Sequence, residues 1–421
     1  MALTPSLRGE VLSRRRVSEL TRSRCCDNLE VRRVTIAERR ARLARRHHLI
    51  GDSPPSSVVA LADRMVGLHA SDPASVFLAA QARLPGITPG AIEAALYDEQ
   101  VLVKHLGMRR TMFVIPEALL PVMQAACTDE VAATMRRRLV KDLVIGRVGD
   151  DAEAWLRAAE RDTLAALDRM GPSLGAKLSA AVPALKVKLA YAEGKDWGGD
   201  VGIATRVIGL LAAEGHLERG RPSGSWTSSQ HRWTRPPARP GSPQTMEAVT
   251  ARSELIGRWL RAFGPAPLSD IVWWTGLGVG KVRAALARLS VAPVDLGDGV
   301  EGLLLADDLE VEAAVAPWVA LLPSLDPTTM GWQQRDWYLG PHREAMFDRN
   351  GNAGPAIWVD GRIVGGWAQR RDGEVVWKVF EDIGSEATRA IEQKAGTLQQ
   401  WLGRVVVTPR FPTPVDRLLR A

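Results

Sequence analysis

The chain has 421 residues, 46% apolar and 24% charged, which is too long for one ordinary core, and it holds no apolar run near the ~18 residues that span a membrane. Its three cysteines, Cys25, Cys26 and Cys127, are odd in number and two are adjacent, so neither a disulfide framework nor a CxxC metal site can be built and a reducing cytosol is expected. The formal charge of +7 has the sign of a polyanion partner, yet thirteen arginines against five acids give residues 1–50 +8 and leave the remainder at −1.

Residues 1–30 carry no sustained apolar periodicity and no signal-peptide core, and read as a flexible basic arm. Helical spacing then predicts helices in IAERRARLARRHHL, PSSVVALADRMVGLHA and TPGAIEAALYDEQ, followed by a half-exposed ribbon of VLVKHL and RRTMFVIP around Gly107 and Met108. The same order recurs from Asp151. EAWLRAAERDTLAALDRMG ends at Gly171, PSLGAKLSAAVPAL starts on a proline, TRVIGLLAAEGHL follows, and LERGRPSGSWTSSQHRWTRP forms a polar wing. WTRPPARPGSPQ reads as a linker. A third copy, SELIGRWLRAFGPAPLSDIVWWTGLGVGKVRAALARL, breaks at Gly264-Pro265 and Gly276 and leads to strands around Gly297-Asp298-Gly299.

From Trp318 the pattern changes. AIWV and RIVGGWA are joined by Asp360-Gly361, a further hairpin turns at Asp372-Gly373, one helix (SEATRAIEQKAGTLQQWLG) follows, and RVVVTPRF is a last strand. The expected fold is therefore mainly α with β: three tandem winged helix-turn-helix modules plus a C-terminal β-rich, barrel-like unit with one helix. The boundaries are 1–30 for the arm, 31–150, 151–236 and 237–317 for the modules (the last with its linker), and 318–421 for the β-rich unit.

The series GLHASDP, LGMRRTMFVIP, two further winged helices, LLPSLDP and the Asp-Gly hairpins resembles, from about Val31 to Arg417, the winged-helix family of bacterial DNA glycosylases of the AlkZ and YcaQ type. The resemblance implies three winged helices on a curved scaffold, excision of alkylated purines and unhooking of interstrand crosslinks. It also implies a catalytic Gln-apolar-Gln motif that holds the attacking water. Here His69 and Ser71 stand at the two glutamine positions with Ala70 between them, and Asp72 follows; a branch of the family has Asp at the second position, one residue before Asp72.

Hydrolysis of an N-glycosidic bond needs a positioned water, an acceptor for its proton and negative charge near the sugar. His69, Ser71 and Asp72 are residue types that supply these, with His69 and Ser71 sharing a face if the segment is extended, or His69 and Asp72 if it is helical. The competing structural reading makes Ser71 or Asp72 an N-cap with Pro73 at the first helical position, and His69 an ordinary interface histidine. Capping and catalysis are compatible.

For DNA backbone contact the candidates are Lys104, Arg109, Arg110 and Thr111 on the ribbon and Arg219, Arg221, Arg232 and Arg235 on the second wing, with His105 and His231 beside them; a solvated basic wing is the bland alternative. Arg136, Arg137 and Arg138 read first as a solvated face, and Trp273, Trp274, Trp332 and Trp337 as core before base-stacking surface. LGVGK lacks the P-loop spacing, and His47-His48 have no partner for a metal pair. No cofactor and no metal are expected. The expected partner is double-stranded DNA, with no membrane, for a monomer in the cytoplasm at the nucleoid. The first reading is a glycosylase; the alternatives are a non-catalytic winged-helix regulator or lesion sensor, and a protein-interaction scaffold.

Overall fold

The computed structural model describes residues 31–52, 54–191, 199–238 and 246–421; the expected basic arm and half of the proline-rich linker lie outside them. Helix α1 (Ile36–Arg46) starts where Thr35 accepts from the Glu38 amide at 3.1 Å, and α2 (Val58–Arg64) where Ser57 accepts from Ala60. The expected second helix stops six residues early, because Val66 and Gly67 take positive φ and the chain extends into β1 (Leu68–His69). Helices α3 (Pro73–Gln81) and α4 (Pro89–Glu93) follow, each with proline in its first turn.

The ribbon is β2 (Leu102–Leu106) and β3 (Met112–Pro116), in a sheet of order β1-β3-β2. It is not half-exposed as expected. β3 is buried along its length, since β1 adds a third strand beside it and α2 packs on it. Short α5 (Leu120–Met123) leads into α6 (Asp129–Ile145), the helix that carries the arginine run. Arg136 is no solvated residue there: it reaches Glu214 and Glu160 at 2.8 Å and Glu153 at 3.3 Å, tying neighbouring helices together.

The middle section begins with α7 (Ala152–Met170), ended by Gly171 at φ 68°. Pro172 does not open a helix; the next two residues form β4 (Ser173–Leu174), and α8 (Gly175–Ala181) starts after it. Strands β5 (Lys188–Tyr191) and β6 (Gly199–Gly202), unforeseen in the sequence, precede α9 (Ala204–Ala213) and the hairpin strands β7 (Glu218–Pro222) and β8 (His231–Thr234), which join β4 in order β4-β8-β7. This section has its own core of Leu139, Leu156, Leu178, Val207, Leu211 and Trp233 among others.

The third section holds α10 (Ala248–Phe263), α11 (Leu268–Thr275), closed by left-handed Gly276, and α12 (Val279–Leu286), then the hairpin β9 (Val291–Asp295) and β10 (Glu301–Leu305). The C-terminal section comprises β11 (Val319–Leu322), three one-turn helices α13 (Pro327–Met330), α14 (Asp336–Leu339) and α15 (Arg343–Met346), β12 (Ala356–Val359), β13 (Arg362–Gln369), β14 (Val375–Val379), α16 (Gly384–Leu402) and α17 (Pro414–Arg420).

Its four strands make an open antiparallel sheet, β11-β12-β13-β14, so the expected barrel-like closure is absent among the described residues, and five helices stand where one was expected. RVVVTPRF is not a strand. The buried Gln369 side chain takes the place of a ladder partner, its amide donating to the Val405 carbonyl at 3.1 Å and its oxygen accepting from the Val407 amide at 2.8 Å.

One continuous core runs through the first, third and C-terminal sections, with Leu61, Phe77, Ile115, Trp259, Trp274, Trp332 and Trp358 all buried. The tryptophans read as core are core, apart from half-buried Trp273. A fully buried bidentate pair, Arg83 to Asp326 at 2.9 and 2.7 Å, joins the end of α3 to the LLPSLDP motif. The tip of the β7–β8 hairpin also enters this core. Trp226 is buried, stacked on Phe77 with ring centroids 4.8 Å apart and edge-on to Trp401 at 5.8 Å.

Candidate active site and nucleic-acid interface

Within GLHASDP, Leu68 and His69 are extended rather than helical, and Pro73 opens α3. Gly67 takes φ 102° with the space for a Cβ closed by Ile115 at 3.0 Å, which suits glycine alone. His69 then pairs with Phe113 across the β1–β3 ladder, rings 5.5 Å apart, and the Ala70 amide continues the pattern to the Met112 carbonyl at 2.8 Å. His69 is buried at 7% exposure, and its Nδ1 has no hydrogen-bond partner. Burial, and then the guanidinium of Arg109, pushes its pKa down to about 3, so the ring is neutral at physiological pH.

Asp72 is the N-cap of α3. Its Oδ1 accepts from the Ala74 amide at 3.1 Å and its Oδ2 from the Arg410 amide at 2.9 Å, while burial pushes its pKa up against those two bonds. Ser71, half-buried, gives its carbonyl to the Arg410 guanidinium at 3.1 Å. The C-terminal segment thus closes over GLHASDP from the far end of the chain.

Arg109 and Arg110 form a tight turn in which both take positive φ, 54° and 60°. The turn places the Arg109 guanidinium 4.1 Å from the Trp273 ring centroid, and Gly276 leaves room for it: a Cβ there would lie 2.8 Å from Arg109 Cγ. Arg109 Nε is buried without a partner, and burial, then Arg335, lowers the guanidinium to about 10. Buried Arg335 lies 5.0 Å from the same tryptophan and donates to the Trp332 carbonyl at 2.7 Å. Next to it Asp270, wholly buried, accepts from the Gln333 and Gln334 amides at 3.0 and 2.9 Å and keeps Oδ2 without a partner; burial pushes it up to about 6 against those bonds and the charges of Arg39 and Arg335.

The structure therefore joins His69 to Arg109, and Arg109 to Trp273 and Arg335. Sequence reasoning had named the first two and missed Asp270, Arg335 and Arg39; the tryptophan doublet after Asp270 and the arginine within GWQQRDW were the available signals.

The remaining candidates divide. Lys104 is half-buried, its Nζ donating to the Tyr97 hydroxyl at 2.6 Å, and burial followed by Arg219 lowers it to about 8. Arg219 lies over Trp233 at 5.5 Å. Arg221 pairs with Asp98 at 2.7 Å and Glu93 at 3.7 Å, and Arg235 with Asp168 at 3.3 Å, so both already have acidic partners. Arg110 and Arg232 are exposed with no ion pair among the described residues, and Thr111 is half-buried beside Arg110. Within the described residues no group of three His, Cys, Asp or Glu residues is placed to hold a metal ion, and no helix is long and apolar enough to cross a membrane.

No curated protein matches the sequence significantly. Among solved structures, the Streptomyces sahachiroi DNA glycosylase AlkZ superposes with a TM-score of 0.66 at 19% identity, over 90% of this chain and 99% of that one, a likeness of fold. The model of the AlkZ-like DNA glycosylases matches residues 62–401, from within α2 to the end of α16 and across both the His69 and the Arg109 segments. With that match running through most of its length, the chain belongs to the AlkZ-like DNA glycosylase family.

Proposed function

We propose that the chain is a monofunctional DNA glycosylase that hydrolyses the N-glycosidic bond of alkylated or crosslinked bases in duplex DNA. In this reading residues 31–150, 151–236 and 237–317 are three winged helices, each closed by a hairpin (β2–β3, β7–β8, β9–β10), and residues 318–421 cover the site; the protein works as a monomer at the nucleoid. A single observation carries the catalytic assignment: a buried, neutral imidazole with an unpartnered nitrogen, at the position where the family holds its water.

With the ring proton on Nε2, His69 Nδ1 accepts a hydrogen bond from water and orients its oxygen toward the sugar carbon. The carbon–oxygen bond forms, the glycosidic electron pair leaves with the base, and the water proton passes to solvent. An N7-alkylated purine departs neutral without being protonated, so a weak base suffices and orientation is the larger contribution. Burial, and after it Arg109, keeps the imidazole neutral and so able to accept from water. Ser71 is the second water ligand. Asp72 anchors the segment and supplies its one carboxylate, while Arg110, Thr111 and Arg232 contact phosphates.

A second reading, a lesion-binding protein without hydrolysis, is favoured by Asp72, whose two oxygens are both taken by backbone amides. Release of free base from N7-alkylated duplex DNA separates the two. The glycosylase reading expects release by the wild type and at least a roughly tenfold fall in His69→Ala, about 1.4 kcal/mol of barrier, with DNA affinity retained. Binding without release by the wild type establishes the second reading instead.

A further inference from the structure

His69 and Ser71 are held by different means. His69 lies in the β1–β3 ladder, which the Ala70 amide continues to the Met112 carbonyl at 2.8 Å. Ser71 and Asp72 come after that bond, so the sheet fixes the histidine and leaves the serine to other contacts. Those contacts come from Arg410, whose amide donates to Asp72 Oδ2 at 2.9 Å and whose guanidinium donates to the Ser71 carbonyl at 3.1 Å.

Arg410 has no sheet to hold it either. Residues 405–411 belong to no helix or strand, although Val407 and Pro409 are buried and Val406, Thr408 and Arg410 are exposed, the alternation of an extended chain. One side chain stands in for the missing partner strand. Gln369, the last residue of β13 and 1% exposed, accepts from the Val407 amide at 2.8 Å and donates to the Val405 and Gly373 carbonyls at 3.1 Å each. Arg420 on α17 completes the hold, donating to the Val407 carbonyl at 2.7 Å and the Thr408 hydroxyl at 3.3 Å. Between Val407 and Arg410 the chain is short, and the Pro409 ring locks one of its torsions. Asp72, Gln369, Val407, Pro409 and Arg420 all line one small cavity, so the two ends of this path face each other across it.

We propose that Gln369 is a positioning residue for base release: by holding Val405 and Val407 it sets Arg410, and Arg410 sets Ser71 and Asp72 beside His69. The proposal rests on the glycosylase reading above and adds how the second water ligand is kept in register with the first. Gln369 acts through the backbone of residues 405–410 and not by contact with the reacting atoms. Without its amide group the Val407 N–H and the Val405 and Gly373 carbonyls lose their partner, and the segment moves to find others. An oriented water tolerates little of that displacement.

The test is a double-mutant cycle on single-turnover base release from N7-alkylated duplex DNA at saturating DNA, with wild type, Gln369→Met, Asp72→Ser and the double variant. Asp72→Ser cuts the link to the Arg410 amide while keeping a cap on α3. Each single variant is expected to lower the rate about tenfold with the half-saturating DNA concentration unchanged, and the double variant to fall no further than the slower single one. Multiplying losses overturn the proposal, because Gln369 then acts by another route; so does a loss confined to DNA affinity. Gln399→Met is the control, since Gln399 accepts from the Val375 amide at 2.9 Å and so bonds β14 and not the C-terminal segment; an equal fall there reduces Gln369 to general support of the sheet and overturns the proposal. Should the methionine variant not fold, Gln369→Glu, which keeps the bond from the Val407 amide and loses both donations, carries the same cycle.

Hydrogen exchange on the protein alone separates this proposal from the reading it rests on. Gln369→Met is expected to speed exchange of the Val407 and Arg410 amides and to leave the Ala70 amide protected by the ladder. Faster exchange at Arg410 in a protein that releases no base leaves the link standing and removes the glycosylase. Base release with Arg410 exchange unmoved in Gln369→Met leaves the glycosylase standing and removes the positioning role.

Discussion

His69 differs from an ordinary surface histidine by burial first and by Arg109 second, and both act in the same direction. Between its ordinary value of 6.5 and about 3 the unfolded chain binds a proton that the folded chain refuses. Stability from this group is therefore complete above about pH 6.5 and is lost as pH falls through that window. The same shift predicts that base release carries no acid limb from His69 between roughly pH 5 and 8. Arg109→Met removes the smaller cause, so the acid limb moves upward while staying below the ordinary histidine value. Single-turnover rates across pH 4–8 check this: a limb that fails to enter that window in Arg109→Met would detach the arginine from the imidazole.

Asp72 illustrates how one side chain serves two elements. It caps α3 through Ala74 and pins the chain before α17 through Arg410. Asp72→Ala strips the cap and leaves two amides without partners, an expected loss of about 1–3 kcal/mol. Asp72→Ser restores the bond to Ala74 but does not reach Arg410, so it should fall between Ala and wild type. Urea midpoints at constant m-value check the order, and equal midpoints for all three would show that the segment is held by other contacts. The capping role was legible in the sequence because Ser-Asp-Pro before an apolar run is a local signal. The failure at RVVVTPRF has the opposite cause: β-branched residues fit a strand, but an amide side chain 36 residues away took the ladder's place.

The division of the core shapes how the chain opens. The middle section has a core of its own, whereas the first, third and C-terminal sections share one, and Trp226 crosses from the former into the latter. Trp226→Ala empties a buried aromatic site, a cost of about 3–5 kcal/mol that should fall on the docking of the second wing. Faster hydrogen exchange in residues 218–234, with protection of the α10 core retained, is the expected result; uniform loss of protection would mean that the chain opens as one unit. Because Trp226 also holds the wing that carries Arg219, its loss should weaken DNA binding without touching His69.

Local information sufficed for much of this protein. Apolar periodicity, caps and Asp-Gly or Gly-Asp-Gly turns located most of the helices and hairpins, and the order of GLHASDP, LGMRRTMFVIP and LLPSLDP pointed to the family, because each of these signals is written within a few neighbouring residues. Long-range contacts settled the rest. That the ribbon is buried, that the sheet stays open, that Arg221 is neutralised while Arg219 is not, that Trp273 meets Arg109 and Arg335, and that Arg410 meets Ser71 all follow from packing between segments remote in the sequence. The charge and hydrogen-bonding state of a side chain depends on what folds against it, and no periodicity in its own neighbourhood records that partner.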